Sequence, residues 1–145
     1  MSKSDAFESA LLALIFQNAN IANVGDATGL RGAAAAGQLF VALHTADPGE
    51  AGTQATSEVA YTGYARVGIA RSSGGFTITG NSVSPAANVD FPACTAGSAT
   101  ATHFSVGVAA SGAGMVLYKG ALTPTIAIAA GVTPRLTTVT AITED

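Results

Sequence analysis

The chain has 145 residues, enough for one domain with a real core, and a single cysteine, Cys94, which excludes an internal disulfide framework and a cysteine-rich zinc site. Only 10% of residues are charged, against about 25% in an ordinary soluble domain. With a net charge of -3 and no Lys/Arg cluster, the electrostatic footprint of nucleic-acid binding is missing.

Hydrophobic residues make up 48% of the chain, drawn mostly from Ala and Val. So few charges are easiest to understand where much of the surface meets other subunits, because interface cores are depleted of charge. The N-terminal stretch has Asp5 and Glu8 inside it and no small-residue cleavage site after it, so it does not read as a secretory signal. The apolar run 10–16 is far shorter than the roughly 20 residues of a membrane span. The expectation is a soluble protein made in the cytoplasm.

The first element reads as a helix near Asp5–Gln17. Ser4 can cap it, and Asp5 and Glu8 lie in the first turn, where the helix dipole favours acids. Phe7, Leu11, Leu14 and Ile15 fall at helical spacing and form one apolar stripe. Such a stripe packs on its own domain or, as an arm, on a neighbouring subunit. Residues 20–38 are rich in Gly and Ala, which suits a loop with one helical turn. Gly29, Gly32 and Gly37 match neither a dinucleotide fingerprint nor a phosphate loop.

From Gln38 the period becomes two. Leu39, Val41 and Leu43 alternate with Phe40, Ala42 and His44, a strand apolar on both faces, and the stretch "ADPGEAG" ends it in a turn. Strands are predicted in "GYARVGIARS", "GFTITG" and "NVDFPA", then in a hairpin pairing residues 101–109 with 115–122 across 110–114. "TIAIAAG" and "RLTTVTAI" supply two last strands. The fold class is mainly β: an antiparallel β-sandwich or jelly-roll-like barrel with a short N-terminal helix. Residues 1–37 form the helix and a Gly/Ala-rich arm, and residues 38–145 the β-sandwich domain.

The candidates for chemistry are few. His44, His103, Asp47 and Asp90 are the only conceivable metal set, and their spacing matches no ligand motif, so no metal and no cofactor is expected. Cys94 has no His nearby in sequence. No G-x-S-x-G elbow is present, and with no Trp the aromatic platform that usually grips a sugar is thin. The expectation is not an enzyme. His44, Asp47, Pro48 and Gly49 read instead as a structural turn: Pro48 presets φ, Gly49 supplies permissive geometry, and Asp47 can accept backbone N–H bonds. His103 reads as a strand-edge or subunit-contact residue. Arg66 and Arg71 are expected to pair with acids such as Glu58 or Asp90.

Leu43, His44, Thr45, Asp47, Pro48 and Gly49, followed by Glu58, Tyr61, Tyr64, Ala65 and Arg66, resemble a family of small phage virion proteins often labelled tail-fibre-like, encoded among head and tail structural genes. The resemblance continues through "NSVSPAANVDFPA" and "THFSVGVAASGAGMVLYKGAL" to the C terminus. It implies a virion structural protein, made in the host cytoplasm. The chain lacks the long repetitive shaft of a true fibre, which favours a capsid decoration or cement protein on the outer surface of the head, stabilising capsomer joints. Its partners would be the major capsid protein and copies of itself, as a dimer or trimer, with no nucleic acid and no membrane. Phe7, Leu11, Leu14 and Ile15 are the interaction residues of that reading. The alternative is a tail-associated or tail-fibre-like protein acting in receptor binding or tail assembly.

Overall fold

The computed structural model describes residues 2–145. Helix α1 spans Asp5–Gln17. Nine strands follow: β1 Gln38–His44, β2 Val67–Ala70, β3 Phe76–Thr79, β4 Ser82–Pro85, β5 Val89–Asp90, β6 Ser98–Gly107, β7 Val116–Ala129, β8 Arg135–Leu136 and β9 Ile142–Thr143. They form a four-stranded sheet ordered β2-β1-β6-β7, a three-stranded sheet β3-β4-β9 and a two-stranded sheet β5-β8. The fold is mainly β and its resolved registers are antiparallel, as expected, but no closed barrel forms among the described residues.

The chain divides into two compact units. The first comprises residues 1–38, 69–88 and 137–145, the second residues 39–68 and 89–136. In the first unit, Ser4 caps α1 through its side chain, which accepts the Phe7 N–H, and Asn18 closes the helix at φ 59°. Asn tolerates this left-handed conformation at a helix end better than most residues. The buried face is Glu8, Leu12 and Phe16, at i, i+4 and i+8. It is not the stripe read from the sequence: Phe7 is 38% exposed, and Leu11, Leu14 and Ile15 are half-buried. Phe16 meets Phe76 edge to face with ring centroids 4.9 Å apart, and the Gln17 amide donates to the Phe76 carbonyl. β3 and β4 form a hairpin with Thr79 opposite Ser82. Gly80, at φ 60°, takes the first place of its two-residue loop, where glycine meets no steric cost.

The Gly/Ala-rich segment contains no helical turn. Asparagine and aspartate side chains hold it instead. Asn18 both donates to and accepts from the Ala33 backbone, Asn20 accepts the Gly32 N–H, and Asp26 accepts from Thr28 and Gly29. Arg71 completes this unit. Its Nε and Nη2 donate to the Ile15 and Leu14 carbonyls at 2.7 Å each, and Nη1 reaches the Ala36 carbonyl. The last turn of α1 has no basic residue of its own. Arg71 therefore satisfies orphan carbonyls and sets a positive charge at the negative helix end. Its partners are backbone carbonyls and not an acid, a departure from the expected Arg–carboxylate contact. Replacing Arg71 by Met should cost about 1.5–3 kcal/mol, the range for hydrogen bonds to a charged group, measurable as a lower urea midpoint at unchanged m-value.

In the second unit, β1 and β6 are inner strands, paired from Phe40↔Gly107 to His44↔His103. Leu39, Val41 and Leu43 are buried on one face of β1 and Ala42 and His44 on the other, which is why β1 reads as apolar on both faces; Phe104 and Val106 of β6 are buried too. The expected hairpin is β6–β7, and β7 is longer than predicted because it absorbs "TIAIA". Its register jumps: Ala101 pairs with Ile126 but His103 with Ala121, so Thr102 is opposed by residues 122–125. Pro124, which has no N–H for the ladder, lies in this bulge. The predicted C-terminal strand breaks into the short β8 and β9, separated by a turn closed by Thr140 N–H on the Thr137 carbonyl.

Candidate functional site

The segment between β1 and β2 carries most of the residues singled out in the sequence, and several of its polar side chains, Gln54, Glu58, Tyr64 and Arg66 among them, turn inward. His44, at the end of β1, has no exposed surface. Its Nδ1 lies 2.8 Å from the Thr56 carbonyl and its Nε2 2.8 Å from Ser105 Oγ. A carbonyl can only accept, so Nδ1 carries the proton and Nε2 accepts from the serine hydroxyl. Ser105 and His44 thus have the spacing of a nucleophile and its base, but both are sealed from solvent, and a backbone carbonyl stands where a carboxylate would orient the ring. This is packing geometry.

Beside it lies a second cluster. Glu58 receives Arg66 Nε at 2.7 Å and Nη2 at 2.8 Å, a two-point contact, and the Tyr64 hydroxyl at 2.9 Å. The same hydroxyl accepts the Leu43 N–H. Arg66 spends its remaining donors on the Ala109 and Gly112 carbonyls in the β6–β7 turn. Burial raises the Tyr64 pKa, and the Glu58 contact raises that of Arg66, so the phenol stays neutral and the guanidinium charged. Gln54, wholly buried, donates to the Phe40 carbonyl, accepts the Ala109 N–H, and through its own backbone N–H reaches the Gly114 carbonyl. Gly107 and Gly114 exist here because a Cβ at either would collide with the Gln54 side chain. Sequence reasoning missed Gln54, which sits in no motif.

Asp47, Pro48 and Gly49 follow β1 in a turn. Asp47 accepts the Gly49 N–H at 2.8 Å, Pro48 is buried, and Gly49 has φ 76°. That hydrogen bond, then the Lys119 contact, holds the Asp47 carboxyl below its usual range. Asp47 is solvent-exposed and pairs with Lys119, which also reaches Glu50. An exposed pair of this kind contributes little to stability, because solvent screens it. His103 occupies the inner strand β6, partnered by His44 on one side and Ala121 on the other, not a strand edge. Asp90 pairs with Arg135 across β5–β8. Cys94 is buried, with Sγ against the Ala96 and Gly97 carbonyls.

Among the described residues no three His, Cys, Asp or Glu side chains gather closely enough to hold a metal ion, and no helix is long and apolar enough to cross a membrane. An open depression of about 310 Å³ is bordered by Glu50, Tyr118 and Lys119, and among the described residues no buried side-chain polar atom is left without a hydrogen-bond partner. The polar chemistry of the second unit is therefore directed at its own loops, clamping residues 45–66 and the β6–β7 turn. The family model described as "Podophage GP4 fiber I protein gp80" matches residues 2–143. The chain belongs to that family. No curated protein matches the sequence. Membership of the gp80 family supports the coarse expectation of a phage virion structural protein, and the match includes the N-terminal helix and Gly/Ala segment, where the sequence resemblance said least.

The sealed His44 makes stability depend on pH. Burial is the largest influence and lowers its pKa from 6.5; the Thr56 bond and Glu58 oppose this, while Arg66 and His103 reinforce it. The unfolded chain then binds a proton more readily than the folded one, so stability is complete above about pH 6.5 and is lost as pH falls below it. Melting temperatures between pH 7.5 and 5 should show this decline, with a limiting slope of about 1.4 kcal/mol per pH unit. His44→Gln should flatten it.

Proposed function

We propose that this chain is a non-catalytic structural component of the podophage particle that belongs with its fibre apparatus on the tail. The family match across residues 2–143 carries this reading, because the family's description names a fiber protein. The internal use of polar groups supports it. In the second unit every charged side chain has a partner of opposite sign: Glu58 with Arg66, Asp47 and Glu50 with Lys119, Asp90 with Arg135. The exposed charges, Asp47, Glu50, Asp90 and Arg135, are paired with a neighbour of opposite sign, so the surface of this unit carries little uncompensated charge, which suits packing against other protein.

Capsid decoration, with the major capsid protein as partner, rests on the same low charge but has no counterpart in the family's description. Copies of the chain acting together, production in the host cytoplasm, and the absence of any cofactor, nucleic-acid or membrane role belong to either version. Labelling the protein on intact particles separates the two. A handful of copies at the tail fits the fibre reading, whereas hundreds spread over the head would replace it with decoration. Cell-wall-degrading activity in the purified chain would overturn the non-catalytic role.

A further inference from the structure

A buried ion pair stabilises a fold no better than well-packed apolar side chains of the same volume. Arg66, whose side chain is 2% exposed, nevertheless sends two N–H groups past Glu58 to the Ala109 and Gly112 carbonyls. Gln54 adds bonds to the Ala109 N–H and the Gly114 carbonyl. The turn between β6 and β7, "VAASGAGM" from Val108 to Met115, is thereby held from beneath at three of its residues. A loop of Gly, Ala and Ser would otherwise sample many conformations. On this fixed tip Val108 and Met115 stand together, joined by the Val108 N–H on the Met115 carbonyl at 3.2 Å. They are 46% and 61% exposed, and they are the large exposed apolar side chains of the second unit among the described residues.

We propose that this hairpin tip is a preformed contact that docks onto a neutral, apolar surface of a different protein of the particle; the proposal rests on the fibre-component reading above. Charge selects the occupant. Residues 104–118 contain no Asp, Glu, Lys or Arg, and the Arg66 charge is consumed inside. A phosphate, an acidic glycan or a charged protein face would lose hydration there without a counter-charge. Size excludes tip-to-tip pairing of two copies, since two side chains fall far short of the roughly 800 Å² per partner of a stand-alone complex. A small, rigid apolar contact is effective where other contacts already tether the partners, because ordering the loop then costs nothing further.

The test uses the full chain, supplied to phage lacking it, as wild type, as Val108→Asp/Met115→Asp and as the milder Val108→Ser/Met115→Ser. Incorporation into purified particles is read alongside melting temperature and sedimentation of the free protein. The Asp pair should reduce incorporation about tenfold or more and the Ser pair less, with melting temperature and sedimentation unchanged. Equal incorporation of both variants and wild type would overturn the tip contact alone. A change in sedimentation would instead make a second copy the occupant, and a lower melting temperature in both variants would make the tip a structural element; either result overturns the proposal. Wild-type protein absent from particles would overturn the fibre-component reading itself.

Discussion

Arg66→Met is expected to lower stability by about 3–5 kcal/mol, because removing one partner of a buried ion pair leaves the other charge uncompensated. Glu58, largely shielded, would lose its two-point contact and keep only the Tyr64 hydroxyl, while the Ala109 and Gly112 carbonyls would lose their donor. Urea unfolding at neutral pH reads this as a lower midpoint. The double variant Glu58→Met/Arg66→Met should recover part of the loss, since no charge is then stranded. If single and double variants are equally destabilised, the loop carbonyls and not the Glu58 charge govern the site. Amide exchange at residues 109–114 should also quicken in both, because the turn loses the same anchor.

Phe16→Ala should cost about 3–5 kcal/mol, the range for deleting a fully buried aromatic side chain. Phe16 has no exposed surface, and its loss leaves a cavity against Phe76. Phe7→Ala, on the same helix, should change stability by no more than about 0.5 kcal/mol, as surface substitutions do. Leu11 and Leu14, half-buried, belong between these limits. A large effect at Phe7 with a small one at Phe16 would mean that α1 packs through the other face. Melting curves of the isolated chain are sufficient to decide.

That contrast shows where sequence reading succeeds and where it stops. The existence, limits and N-cap of α1 were legible because Ser4, Asp5 and Glu8 are local signals. Its buried face was not. Phe7, Leu11, Leu12, Leu14, Ile15 and Phe16 spread over more than half of the circumference, so periodicity alone could not choose Leu12 and Phe16 over the neighbouring stripe. The β6–β7 hairpin and the Asp47–Pro48–Gly49 turn were legible for the same local reason. The polar clamp was only half legible: a Glu58–Arg66 pair, eight residues apart, could be guessed from scarce charges. Its continuation to Ala109 and Gly112, 43 and 46 residues away, leaves no mark on local pattern. Arg71 reaching α1 across 57 residues is the same case.

The interrupted ladder of β7 bears on how a charge-poor chain avoids self-association. β7 is an edge strand of fourteen residues with one charge, Lys119, a profile that invites strand-by-strand stacking into insoluble cross-β fibrils. The bulge over residues 122–125 and Pro124 within it divide that edge into two short runs. Neither run offers the long uniform template on which such stacking propagates. The same irregularity works against polymerisation of a charge-poor chain through this edge, so that the strand can stay long without becoming a template for its own copies.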